Sequence, residues 1–501
     1  MKHRKGGNRK RGNRRRSSEP FVPLRLQAKK VEHLFQSDSS QAILVQGAPR
    51  TLPGDLPQLK LVHDVPLPHL PRVLSWDRAP YEEFLRIGSA PAPSTGETLL
   101  GVIGIDCGTS STKVVVRFPE EPGAPGFAVE FPDWCRAEKC PHLWSTFVWA
   151  QSDGTLTPWA DGQGAPVTRL KTGIMSARPN EIAVSNGGQS PTYFDAAIAY
   201  LAYVIRYSRG WLISTVPEQF RGRRARWLVN VGLPSQDYDN ELLVRTYRNV
   251  AAAAVRLADS GRPVTVMETR RVLSEISPAD TGTDQEGIRR HGIGVIPELA
   301  AEVAGFAQDP ARRADGLYVM IDVGAGTLDV CTFNIGTWNY TDQYSLFAAE
   351  VKPLGVAAEK WFLDEGLSRQ QFIEQCTRLQ RRIVNYTRVK RAPTSPAWRH
   401  DGQMPVFLCG GGARNALHRG VVDDLDPWLK KFAGNRGMRL MQLATPKSLK
   451  MHSAVPHDRL AVAWGLGHLE FQIGTIVPPS DIDDLDFVKA KEIEMVGKEM
   501  T

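Results

Sequence analysis

The sequence predicts an α/β protein built as two related halves, and two stretches carry the prediction. In the first, an apolar run from Leu317 to Ile321 ends in Asp322, Gly324 and Gly326 bracket Ala325, and Thr327 and Asp329 lead into a second apolar run. In the other, Val102 to Ile105 ends in Asp106, and Gly108, Thr109, Ser110 and Ser111 lead through Thr112 to Lys113 and a valine run. Each reads as a strand, a tight turn and a returning strand, with exposed backbone N–H groups and carboxylates at the turn. One Asp-Gly hairpin is commonplace. Two related ones, 216 residues apart (322 less 106), suggest a duplicated architecture with one phosphate-binding turn in each half.

A length of 501 residues predicts two or more domains. Hydrophobic content of 42% with 23% charged residues is that of a soluble globular protein. No apolar run reaches the roughly 18 to 20 residues of a membrane span, so no membrane partner is expected. The N-terminus has charge but no apolar core behind it, unlike a secretory signal. Six scattered cysteines make no disulfide framework, and a cytoplasmic location is expected. Cys135 and Cys140 alone lie close together, without the second pair that a zinc site would need. The net charge of +8 is concentrated: residues 1–16 hold nine Lys or Arg and no acid, which leaves 53 basic against 54 acidic residues elsewhere.

In chain order, residues 1–18 read as a disordered basic tail able to hold nucleic acid or an acidic partner. Residues 19–98 form a Pro-rich extension whose apolar residues suit wrapping over the body. The first domain, 99–308, opens with the Asp106 hairpin, and probable strands follow near Ser145 to Ala150 and around Val167. Helical spacing runs from Thr192 to Arg206 behind Pro191, and a buried strand spans Trp227 to Val231. The next helix, about Asn240 to Ala258, follows Asp237 and Asp239, which suit its N-terminal cap. Val264 to Glu268 reads as a strand, and Ile296-Pro297-Glu298 opens an alanine-rich helix. The second domain, 309–475, opens with the Asp322 hairpin. A basic amphipathic helix spans 369–391, Val406 to Cys409 reads as a strand into Gly410, Gly411 and Gly412, and Ala416 to Leu425 as a helix. Leu440 to Ala444 suits a strand, and Arg459 to Gln472 a helix whose Ala463, Gly465 and Gly467 permit close packing. Residues 476–501 read as a tail or surface strap.

Carboxylates at strand ends beside glycine-rich turns suit a nucleotide polyphosphate. Its oxygens need close backbone N–H donors, and Mg²⁺ needs oxygen ligands, often reached partly through water. Asp106, Asp322 and Asp329 can serve the metal, while Gly108 to Ser111 and Gly324 to Thr327 cradle phosphates from two sides.

From about 99 to 472 the chain resembles the actin, Hsp70 and sugar-kinase ATPase superfamily, most closely Hsp70-type nucleotide-binding domains and plasmid-segregation actins. Ile105-Asp106-Cys107-Gly108-Thr109-Ser110 resembles the first phosphate motif, and Ile321-Asp322-Val323-Gly324-Ala325-Gly326-Thr327-Leu328-Asp329 the second. Leu408-Cys409-Gly410-Gly411-Gly412-Ala413-Arg414-Asn415 resembles the adenosine motif, and Arg459 to Gly465 the second connecting helix. The resemblance implies two duplicated actin-like (ribonuclease H-like) domains with a nucleotide cleft between them, binding ATP or ADP and Mg²⁺. It further implies that Asp106 and Asp322 position Mg²⁺ and the attacking water, Thr109 and Thr327 contact phosphate, Glu298 orients the water and Arg414 packs on adenine. Lys171 matches the family's phosphate lysine only loosely, and a solvated lysine is the expectation. Arg381 or Arg382 reaching the ribose is likewise set against a solvated face.

The sequence departs from Hsp70 proteins in three places, the first being that Glu298 follows Pro297, as in plasmid-segregation actins, where Hsp70 proteins have the glutamate before the proline. Only about 50 residues separate Gly355 from Pro405, and fewer than 30 follow Gln472, too few for a peptide-binding domain. The expected function is therefore an Hsp70-like or actin-like ATP-binding switch for a protein partner, with slow Mg²⁺-dependent hydrolysis. The alternatives are a nucleotide-dependent filament or DNA-associated scaffold, and a small-molecule (carbohydrate-type) kinase.

Overall fold

Each half places its Asp-Gly turn at the end of a first strand that is central in its sheet. The computed structural model describes residues 78–90, 95–137, 140–159, 164–175, 180–185, 189–276, 292–308, 313–338, 341–453 and 455–485. These all lie in one compact unit. The basic tail, most of the Pro-rich extension and the chain after 485 lie outside the described residues.

The first half opens with β1 (Glu97–Cys107) and β2 (Ser111–Arg117), followed by β3 (Gly126–Ala128) and the short β4 (Trp144–Ser145). β5 (Val148–Ala150), β6 (Leu156–Thr157) and β7 (Ala165–Val167) form a small separate sheet, after which β8 (Arg223–Leu233) and β9 (Ile293–Pro297) rejoin the main one. The second half contributes β10 (Gly316–Val323), β11 (Leu328–Trp338), β12 (Thr341–Lys352), β13 (Met404–Cys409) and β14 (Met438–Met441). β15 (Leu449–Lys450) returns to pair with β3, and β16 (Thr475–Val477) adds to β12.

The two main sheets share one path. The first includes the path β3-β2-β1-β8-β9 and the second β12-β11-β10-β13-β14, so that, numbering only the strands of each path in chain order and leaving aside β4, which pairs with β2 to one side, both have the order third, second, first, fourth, fifth. In both, the first strand is antiparallel to the second and parallel to the fourth. The parallel strands are joined through helices that cover the sheet faces, as such crossovers require. The chain is thus an α/β protein whose two sheets have the same order and sense.

Helix starts follow local chemistry. The Thr192 and Asp195 side chains form a reciprocal cap on helix Tyr193–Thr215. Asn240, rather than Asp237 or Asp239, caps Glu241–Ser260, its side chain accepting from the Leu243 N–H. The expected strand Val264 to Glu268 is instead a helix start: Thr265 accepts from the Glu268 N–H and helix Val266–Ser274 follows. Ala416–Asp423 is succeeded by a further helix, Leu425–Ala433. Helices Glu298–Ala307 and Ala461–Leu466 cross so closely that a Cβ on Gly465 would overlap the Ala301 carbonyl, which explains the small residues there. Among the described residues no helix is long and apolar enough to cross a membrane.

Candidate functional site

The two hairpin turns are built alike. In the first, the Gly108 N–H donates to the Ser111 carbonyl at 3.1 Å; in the second, the Gly324 N–H donates to the Thr327 carbonyl at 2.9 Å. In the first, Thr146 N–H bonds the Ser110 carbonyl. In the second, the N–H groups of Gly355, Val356 and Ala357 bond the carbonyls of Gly326, Gly324 and Ala325. Among the described residues, none accepts from the N–H groups of Thr109, Ser110, Ala325 or Gly326. The first turn thus engages the Ser110 and Ser111 carbonyls and the second all four of its own, and both keep donors unspent, the arrangement that anions use.

Register decides the charge at each turn. Asp106 lies opposite Lys113 across β1 and β2, and Asp322 lies opposite Asp329 across β10 and β11. Directly opposed side chains share a sheet face. Lys113 Nζ accordingly sits 3.0 Å from Asp106 Oδ2. The second hairpin has two carboxylates at the equivalent positions, and Asp322 Oδ1 and Asp329 Oδ1 are both covered and have no hydrogen-bond partner among the described residues.

The triple glycine seats a third wall. Gly410 has φ +83°, and a Cβ on it would overlap Asp322 Oδ1 and crowd the Val323 carbonyl. The Gly412 N–H donates to that carbonyl at 2.8 Å. A fourth wall is the helix opened by Glu298, where Ser235 Oγ accepts from the Leu299 N–H at 3.0 Å. Lys171, on the short helix Leu170–Met175, donates to Glu298 Oε1 at 2.6 Å. From the next turn of the Glu298 helix comes Glu302, which is buried. Ser235, Gln236, Glu298, Glu302, Asp322 and Asp329 line one part of a cavity of about 30 Å³ whose remaining wall is apolar, with Met320, Val330 and Val351; this is room for ordered water against the polar part.

Burial and crowding of like charge raise these carboxyls. Asp322 is pushed up to about 6, first by burial and then by Glu298 and Asp106. Asp329 stands well above the ordinary range through burial and the Asp322 charge, against a hydrogen bond from Thr327. Glu302 is raised well above it by burial and Asp322. Burial also raises Glu298, with Lys171 opposing. Burial works to lower Lys171, and the attraction of Glu298 outweighs it, so the ammonium is held charged.

The structure thus brings together Asp106, Glu298, Asp322, Asp329 and both glycine turns, with Gly410 and Gly412 against the second. It corrects the expectation for Lys171, whose side chain is largely covered and paired with Glu298 rather than solvated. Arg414 is half-exposed and pairs with Asp458 at 2.9 Å. Arg382 pairs with Glu350, and Arg381 lies over the Trp428 ring. Gly411 stands against the Arg459 guanidinium. Sequence reasoning passed over Lys113, Glu302, Ser235 and Gln236. Two of these carried a signal: Lys113 lies opposite Asp106 in any hairpin with this turn, and Glu302 is one helical turn from Glu298.

Among the described residues no group of three or more His, Cys, Asp or Glu has the geometry to hold a metal by side chains alone, and the six cysteines are free. No protein family model matches the chain, and no curated protein matches it in sequence.

Proposed function

We propose that the chain is an ATP-binding protein of the actin and Hsp70 type, two duplicated ribonuclease H-like domains that close on ATP and Mg²⁺ and act as a slow hydrolytic switch for a protein partner. The observation that carries this reading is the repetition of one strand order with one turn geometry, both turns offering unspent N–H donors beside carboxylates that are buried, as at Asp106, or have a covered oxygen, as at Asp322 and Asp329.

The residues suit the ligand. The free amides at Thr109, Ser110, Ala325 and Gly326 match phosphate oxygens, which glycine lets approach the backbone. The uncovered need at Asp322 and Asp329 is for positive charge. Magnesium commonly takes one or two protein carboxylates and completes its shell with water and phosphate, so Asp322 with Asp106 or Asp329 fits it without a three-residue cage. When bound, the ion draws charge from the phosphates and so makes the terminal phosphorus more open to attack. The chain's own contribution to hydrolysis is position. Lys171 engages Glu298 Oε1, fixing the carboxylate at the wall of a water-sized cavity, where its other oxygen can orient a water. Lys113 holds Asp106 in place. Gln236 ties the first-half loop to the second half by accepting from the Val351 N–H at 2.7 Å.

The test is phosphate release from Mg²⁺-ATP by wild type, Glu298→Gln and Lys171→Met, with and without sugars, together with sedimentation. Slow release that both substitutions reduce at least tenfold supports the reading. Turnover only with an added sugar would replace it with a kinase, and pelleting that requires ATP would replace it with a filament.

A further inference from the structure

The basic helix singled out in the sequence lies outside the proposed nucleotide site, and its side chains form a surface of their own. Between residues 369 and 441 there are fourteen Lys or Arg and five Asp or Glu; Arg369, Arg382, Arg391 and Arg414 pair with acids outside that stretch, so the excess of nine falls by four to five. Arg381, Asn385 and Arg388 recur at i, i+4 and i+7, along one stripe of helix Arg369–Tyr386 and its continuation Thr387–Arg391.

Helix Leu425–Ala433 meets that stripe with Trp428, Lys431 and Phe432. The Trp428 and Phe432 rings stack with centroids 4.6 Å apart and planes 13° from parallel. The Arg381 guanidinium lies 5.7 Å from the Trp428 ring centre, and that of Arg388 4.7 Å from the Phe432 ring centre. Arg388 also donates to the Phe432 carbonyl at 3.1 Å. The result is a ladder of guanidinium, indole, phenyl and guanidinium, which holds two cations in fixed positions. Phe432 is 39% exposed, and Lys431 beside it is exposed.

The carboxylates on these two helices are engaged elsewhere. Asp426 accepts from Lys430 and from the Met438 N–H, and Glu374 accepts from Gln370. No carboxylate among the described residues pairs with Arg381, Arg388 or Lys431. Arg381 Nε and Asn385 Oδ1 are covered and lack hydrogen-bond partners among the described residues.

We propose that this face binds single-stranded nucleic acid, with Arg381 and Lys431 on phosphates and a base stacked on the outer face of the Arg388 guanidinium, whose inner face rests on Phe432. Cationic tracks interleaved with aromatic rings are the usual means of holding single strands, and guanidinium planes also accept bases in stacking. An acidic peptide would answer the charge but would leave the aromatic pair without use. The proposal stands apart from the ATP reading and from the basic tail at residues 1–16.

The test is fluorescence anisotropy of labelled single strands of about twenty nucleotides, DNA and RNA, with the full chain at several salt concentrations. Phe432→Ala should weaken binding roughly tenfold, the scale of one lost base stack, because the Arg388 guanidinium loses the ring that holds it in place for a base, without changing the salt dependence. Lys431→Gln, at an exposed position that leaves the fold intact, should lower the slope of log affinity against log salt by roughly 0.7, one phosphate contact. Any of three results overturns the proposal: no binding by wild type, variants that bind as wild type does because the tail alone holds the strand, or an abasic strand or oligoglutamate peptide binding as tightly as the oligonucleotide.

Discussion

The carboxylates of the two hairpins have different surroundings although their backbones follow one pattern. Asp106 faces Lys113 across its hairpin, and Glu298, from the same half, holds Lys171. Asp322 faces Asp329 across the equivalent hairpin, and each has an oxygen that is covered and unpaired among the described residues. The difference is one residue type at one register position, lysine in the first half and aspartate in the second. It shows how a repeated fold can carry asymmetric charge: one half pairs its carboxylates with lysines, and the other leaves a carboxylate oxygen unpaired on each aspartate.

Lys171→Met tests the lysine-paired half and has the largest expected effect. It leaves a buried carboxylate without its partner, a change that typically costs about 3–5 kcal/mol, measurable as a lower urea midpoint. Loss well under 1 kcal/mol would mean that Glu298 simply takes up a proton and that the pair is not what holds the cleft wall.

Gly410→Ala tests the second half. The added methyl overlaps Asp322 Oδ1 at a backbone angle that side chains rarely adopt, so about 2–3 kcal/mol should be lost. Gly326→Ala in the same site meets nothing within 4 Å and should stay within about 0.5 kcal/mol. Equal effects would show that the triple glycine is not seated on the second turn.

The same substitution in the two hairpins should then differ in sign. Asp106→Asn removes the partner of Lys113 and should cost about 1–2 kcal/mol. Asp322→Asn should raise the stability of the ligand-free protein by about 1–2 kcal/mol at neutral pH, since it removes a crowded buried charge. The pH profile follows from the raised Asp322. Its folded value, about 6 against an ordinary 3.8, means that the folded chain binds the proton more tightly. Its contribution is greatest at acid pH and declines as pH rises from about 4 to about 6, then levels off. Asp322→Asn should flatten that decline in thermal unfolding followed across pH.

Much of this was legible in the sequence. The hairpins announced themselves because apolar runs, glycines and acids recur in one order, and the Gly410 turn because three glycines follow a buried strand. Long-range pairing was less accessible. Lys171 lies 127 residues before Glu298 in an irregular stretch with no pattern to mark it as covered. Val264 to Glu268 has the β-branched composition of a strand, but Thr265 finds the Glu268 N–H and starts a helix. Side-chain direction at Arg381, Arg382 and Arg414 has no marker in the sequence. The fold turns these three toward Trp428, Glu350 and Asp458.

The central claim is that the second hairpin is completed by a magnesium nucleotide, and calorimetric titration of Mg²⁺-ATP into wild type and Asp322→Asn tests it most directly. The account predicts saturable binding at one site, weakened at least tenfold in the variant even though that variant is the more stable protein. Absence of binding by wild type, or equal affinity in the two, would contradict it.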